Sequence, residues 1–146
     1  MCSEWRKIGR RDKRPKLCSL LMGSRKMEGK PKFLQGTISF EGKGFDNPIP
    51  LRGLTYTVPQ NMQSQLVYFR AGNSSDDLVN LTLTRDGETM RLFPLGMKSA
   101  MHFPLAIQEF LPAATHLELN LTAAEGQAGS IFVDIGFMEH LAVKSA

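Results

Sequence analysis

The stretch DLVNLTLTRDGETMRLFPL, Asp77 to Leu95, decides the fold. Asp86-Gly87 lies at its centre, and a type I′ turn needs positive φ at both central positions, which an Asp-Gly pair adopts readily. A hairpin closed there predicts that Arg85 faces Glu88, Thr84 faces Thr89, Leu83 faces Met90, Thr82 faces Arg91 and Leu81 faces Leu92. That pairing sets opposite charges beside the turn and apolar against apolar further along. Val79, Leu81, Leu83, Met90 and Leu92 then share one face, and a slip of one residue would turn all of them to water.

The same period of two recurs on both sides of the hairpin. Leu34, Ile38 and Phe40 alternate with Gln35, Thr37 and Ser39, and Leu54, Tyr56 and Val58 alternate with Thr55 and Thr57 until Pro59. Gly42 to Pro50 reads as a loop whose prolines exclude a central strand. Gln65 to Ala71, QLVYFRA, is apolar on both faces, as in a strand covered on each side. Lys98 to Leu105 alternates again, and Ala106 to Pro112 reads as a helical turn or an edge crossing. Thr115 to Thr122 sets Leu117, Leu119 and Leu121 against His116, Glu118 and Asn120, and Ile131, Val133, Ile135 and Phe137 line a final strand. Seven or eight short strands with no long helical period predict an all-β, antiparallel β-sandwich, immunoglobulin-like or jelly roll.

Leu111 to Ala123, LPAATHLELNLTA, resembles the E-to-F corner of fibronectin type III domains, where a Leu-x-Pro-like turn and a Thr precede an alternating strand. Leu117 stands where that family usually has its corner tyrosine. The resemblance covers about 13 residues and implies a sandwich, not membership of the family.

Composition divides the chain in two. Residues 1–32 hold 11 of the 18 Lys and Arg against three acidic residues, a balance of +8, which leaves 7 basic against 11 acidic residues and −4 for residues 33–146. Residues 1–32 are therefore expected to be a basic flexible tail, and residues 33–146 a single sandwich domain with no electrostatic call on nucleic acid of its own. Arg10, Arg11, Lys13, Arg14 and Lys16 form a patch suited to nuclear targeting or to phosphate neutralisation, with Trp5 able to stack on a base. An organellar presequence is opposed by Glu4 and Asp12, and a start at Met22 or Met27 would make the patch an upstream extension. Both cysteines, Cys2 and Cys18, fall in the tail, which leaves the expected domain without a thiol nucleophile or disulfide. No run approaches the ~18 apolar residues of a membrane span, and Leu17–Met22 is too short for a secretory segment. The expected location is intracellular, cytoplasmic or nuclear.

Motifs for catalysis are missing. There is no G-x-S-x-G and no G-x-x-x-x-G-K-[ST], and the G-x-G of Gly42–Gly44 lacks a third glycine and a following helix. Three histidines, His102, His116 and His140, are scattered, and a metal site would need them to converge with Glu109, Glu118 or Asp134. No cofactor and no catalytic residue is expected. Asn73, Asn80 and Asn120 open N-x-[ST] sequons, with Asn80 and Asn120 on outward faces.

A surplus of apolar residues falls outside the simplest two-face pattern: Leu66, Tyr68, Phe93, Phe110, Phe132 and Met138, with Met62 and Met97 in connections. Either a second buried surface or a strand bulge accounts for it. The leading expectation is a non-catalytic binding or assembly module, a homo-oligomer or accessory subunit, with Tyr56, Tyr68, Phe93 and Phe132 as ligand or interface residues. The alternatives are a nucleic-acid-associated shell or chaperone protein acting through the basic arm, and a carbohydrate or small-ligand module using Tyr56, Tyr68 or loops near Asn61 and Asn73.

Overall fold

The structure, a computed structural model, describes residues 29–143. Eight long strands and one short one succeed each other as β1 (Lys30–Glu41), β2 (Ile49–Thr57), β3 (Met62–Asn73), β4 (Val79–Arg85), β5 (Glu88–Leu95), β6 (Ser99–Pro104), β7 (Phe110–Leu111), β8 (His116–Ala123) and β9 (Ala128–Leu141). Sheet A has the order β1-β9-β3-β6, with β7 also on β3, and sheet B the order β2-β8-β4-β5. All pairings are antiparallel.

This alternation of the chain between the two sheets is the double Greek key of a jelly roll. The immunoglobulin-like alternative is thereby set aside, because its sheets hold consecutive strands in a different order. The Leu111–Ala123 corner survives as a local feature. Thr115 Oγ1 donates to the Pro112 carbonyl at 2.7 Å, Ala114 takes φ of 66°, and the chain crosses from sheet A to sheet B.

Prolines stand on four of the five edge strands, Pro31 on β1, Pro50 on β2, Pro94 on β5 and Pro104 on β6, with only the two-residue β7 lacking one, and on none of the inner strands. A residue without an N–H weakens an edge as a template for further strands, so the sequence itself blunts these edges. The sandwich begins earlier in the chain than composition suggested. Lys30, Pro31 and Lys32, assigned to the tail, pair with Glu139, Met138 and Phe137 of β9.

The hairpin closes at Asp86-Gly87, with φ of 49° and 87°. Arg85 faces Glu88 and Thr84 faces Thr89, as expected, and then a bulge at Met90 shifts the register so that Leu83 faces Arg91 and Leu81 faces Phe93. The expected pairs Leu83–Met90, Thr82–Arg91 and Leu81–Leu92 are therefore corrected. Phe93 and Leu95 turn into the core at 3% and 0% exposure, while Leu92 is left outside at 60%. A bulge of this kind puts two residues opposite one and reverses the facing of everything beyond it.

A second bulge, at Val67, lets Leu66 and Phe69 both reach the core of sheet A. Between the sheets Phe69 stacks on Phe93 at 3.7 Å and Tyr56 on Phe137 at 4.3 Å, around Leu81, Leu119, Leu121, Ile131 and Ile135. Asn73 is a buried bracket. Its Nδ2 donates to the Asp77 and Gly96 carbonyls at 2.9 and 3.0 Å and its Oδ1 accepts from Ser75 N and Oγ, which fastens the end of β3 to the start of the hairpin.

Candidate functional site on the outer face of sheet A

Antiparallel register turns the outer face of sheet A into rows that run across the strands. Gln35, Asp134, Arg70 and His102 are successive cross-strand partners on β1, β9, β3 and β6. Two residues along, or about 7 Å, Thr37, Phe132, Gly72 and Ala100 form the next row; on the opposite side lie Phe33, Gly136, Tyr68 and Pro104. A polar row is thus flanked by two rows that each carry an exposed phenylalanine. Phe33 and Phe132 are 52% and 49% exposed.

The polar row is hydrogen-bonded along its length. Gln35 Nε2 and Tyr68 Oη each donate to Asp134 Oδ1 at 3.1 Å, and Arg70 Nη1 stands 3.8 Å from Asp134 Oδ2. Arg70 Nε approaches His102 Nδ1 at 3.4 Å, a bond that requires the imidazole proton on Nε2. The guanidinium lies over the Tyr68 ring at 5.6 Å. Desolvation, and then the neighbouring Asp134 carboxylate, push the Tyr68 phenol upward.

Two small residues make this face concave. Gly72 and Ala100 form the floor of a groove of roughly 540 Å³ walled by Phe132 on one side and by Arg70 and Asp134 on the other. Gly136 has a different duty, because a Cβ there would collide with the Tyr68 ring. Only glycine lets that ring lie flat on β9 and bring its hydroxyl to Asp134.

Of the four aromatic residues expected to meet a ligand or partner, the structure brings Tyr68 and Phe132 onto this face. Tyr56 and Phe93 are core residues, 6% and 3% exposed. Phe93 is turned inward by the bulge at Met90, and Tyr56 sits where alternation in β2 places it. Tyr56 Oη donates to the buried Glu139 carboxylate at 2.7 Å and lies 3.2 Å from Ser64 Oγ. Burial first, and Glu139 next, raise its pKa far above the ordinary tyrosine value. Asn73 is buried and committed to the turn, so its own side chain is open neither to a ligand nor to glycosylation.

The histidines do not converge. His102 is on β6, His140 packs edge-on against Phe110 with Nε2 3.2 Å from Gln65 Oε1, and His116 belongs to sheet B, between Thr57 and Glu118. Among the described residues no three His, Cys, Asp or Glu side chains are placed to hold a metal ion. Glu109, another expected ligand, instead bridges Arg91 at 2.6 Å and Arg85 at 3.6 Å. The basic patch at Arg10, Arg11, Lys13, Arg14 and Lys16 lies outside the described residues. No helix among the described residues is long and apolar enough to cross a membrane.

Gln35, Arg70, Gly72, Ala100 and Phe33 were not singled out from the sequence. They come from three strands that are not adjacent in the chain, and only register places them together. Period-two alternation puts Gln35 on an outward face, whereas Gln65 to Ala71, apolar on both faces, assigns Arg70 no side.

No protein-family model matches the chain, and no curated protein sequence does. Solved structures do match in fold. The CBM36-1 domain of a multidomain xylanase from the hindgut metagenome of Trinervitermes trinervoides aligns with TM-score 0.49 and 17% identity, over 78% of this chain and 100% of that one. The Eiger TNF of S. frugiperda aligns with TM-score 0.49 and 16% identity, over 81% and 96%. A carbohydrate-binding module CBM36 in complex with calcium and xylotriose gives TM-score 0.43 and 14% identity, over 77% and 94%. Likenesses of this size bear on neither ligand nor partner.

Proposed function

We propose that this chain is a non-catalytic binding module that takes a carbohydrate on the outer face of sheet A. The observation that carries the reading is the half-exposed Phe132 ring beside the open Arg70–Asp134 pair, in one groove. A gap of 3.8 Å between a guanidinium nitrogen and a carboxylate oxygen is long for an ion pair in contact. A ligand hydroxyl fits it well, accepting from Arg70 Nη1 and donating to Asp134 Oδ2 at normal O–H···O and N–H···O lengths. A sugar ring has both the apolar C–H face that an exposed aromatic ring covers and the hydroxyls that such a pair engages. Gln35 and Tyr68 hold the carboxylate by its other oxygen, so the acceptor is set before the ligand arrives.

The outer face of sheet B is polar across β4 and β8, with Asn80, Thr82, Thr84, Glu118 and Asn120, and carries an exposed Leu92 on β5 and an exposed Phe45 beside it. Isothermal titration of the full chain with neutral oligosaccharides tests the reading. Asp134→Asn and Phe132→Ala are expected to weaken binding about tenfold or more with unchanged far-ultraviolet circular dichroism. Equal binding by wild type and both variants, or none by wild type, overturns it.

A second reading rests on the three half-exposed phenylalanines of this face, Phe33, Phe110 and Phe132, which a second copy of the chain would cover. Light scattering after size exclusion decides it. A dimer dissociated by Phe132→Asp supports self-association, and a wild-type monomer at micromolar concentration removes it.

A further inference from the structure

We infer that the ligand is an extended chain of several sugar rings lying along β9, with Phe132 at one end of the contact and Phe33 at the other. The inference rests on the carbohydrate reading and adds to it a length requirement. Phe132 is paired with Thr37 on β1, and Phe33 lies four residues away on that strand, opposite Gly136. Four residues of strand span about 13 Å, more than the breadth of one pyranose ring. No single sugar touches both phenylalanines.

The polar row lies midway between them. Gln35, Asp134, Arg70 and His102 therefore face the middle of whatever bridges the two rings, where hydroxyls of an inner sugar would be presented. Tyr68 lies over Gly136 on β9, so its ring is part of the surface beside Phe33 that such a chain would cross. Beyond Phe132 the next row is made of small side chains, Ser39 and Ser130, with hydroxyls 3.5 Å apart. Nothing bulky among the described residues stands there to close the groove against a chain that continues, as a pocket for a chain end would need. The composition of the face also argues for a neutral chain. The cation of the polar row, Arg70, is accompanied by Asp134 and sits among amide, imidazole and phenol groups, which leaves no net positive row for an anionic polysaccharide.

The test is a length series. The full chain is titrated calorimetrically with xylose and xylo-oligosaccharides up to the hexaose, and with cello- and manno-oligosaccharides of the same lengths. In a series that binds, affinity is expected to rise about tenfold overall with length, as the second phenylalanine is covered, and then to level off. Phe33→Ala flattens the rise, Phe33→Trp retains it, and Phe132→Ala weakens every member. Thr82→Ala, on the outer face of sheet B, leaves the series unchanged. An affinity independent of length, or a rise that persists undiminished in both folded Phe33→Ala and Phe33→Ser, overturns the inference while leaving the carbohydrate reading intact. Absence of binding in all three series overturns both.

Discussion

Tyr56 and Phe93 lie between the two sheets, whereas Tyr68 and Phe132 lie on the outer face of sheet A, and the same two residue types do different work in the two regions. Inside, Phe93 stacks on Phe69 and Tyr56 on Phe137, and the Tyr56 hydroxyl satisfies a buried carboxylate from the opposite sheet. Outside, Phe132 has half its surface in water, and Tyr68 positions Asp134. The inner pair explains the stability of the sandwich. The outer pair stands outside that core. A residue that the fold does not need is where a binding function is to be sought.

The sharpest way to break this contrast is to truncate one phenylalanine from each region. Phe93→Ala is expected to cost about 3–5 kcal/mol of unfolding free energy in a denaturant titration, because it empties a packed aromatic stack. Phe132→Ala is expected to change stability by less than about 0.5 kcal/mol. Comparable losses for the two would show that the outer ring is part of the core.

The tyrosines differ next. Tyr56→Phe leaves the Glu139 carboxylate buried without its donor, at an expected cost of about 1–3 kcal/mol. The pH dependence has a definite sign. Tyr56 titrates above 10.0 in the folded chain and near that value when unfolded, so its contribution is complete below about pH 10 and is lost as the pH rises past it. Tyr68 is shifted in the same direction. Unfolding free energy followed through the alkaline range should fall less steeply in Tyr56→Phe than in wild type; identical slopes would count against the buried bond.

The smallest effect on stability sharpens the contrast most directly. A Cβ on Gly72 would meet only Phe132 and Ala100, at ordinary contact distances of 3.6 and 3.7 Å. Gly72→Val therefore fits the strand and is expected to gain about 0.5–1 kcal/mol over a strand glycine. The same isopropyl group fills the groove floor, and oligosaccharide binding should disappear. A stabilised variant that still binds would place the ligand elsewhere.

Much of the architecture was legible in the residues because period-two alternation is a local signal. Leu117, Leu119 and Leu121 are all buried in β8 and Ile131, Val133 and Ile135 in β9, as their spacing predicts, and Asp86-Gly87 makes the turn it was expected to make. Alternation misleads where one extra residue enters a strand. Met90 and Val67 have no composition that marks them as bulges, yet each reverses the facing of the residues beyond it, which is why Phe93 and Leu66 looked like surface surplus and are core. Of the site, Tyr68 and Phe132 were visible as unplaced aromatics. Gln35 and Arg70 were not, because a lone glutamine or arginine on an outward face carries no signal until its neighbours are known.

The residues alone determined that this chain forms antiparallel strands with one greasy face each, because side chains on a pleated strand alternate and apolar ones must leave water. Tertiary structure alone decided which strands are neighbours, and with that the groove. Gln35 meets Asp134 across 99 positions of chain through backbone pairing of β1 with β9, and Arg70 meets His102 across 32 through β3 with β6. Backbone hydrogen bonds are alike for every residue type, so the register that aligns those four side chains arises from the packing of the whole sandwich and is written in no short stretch of it.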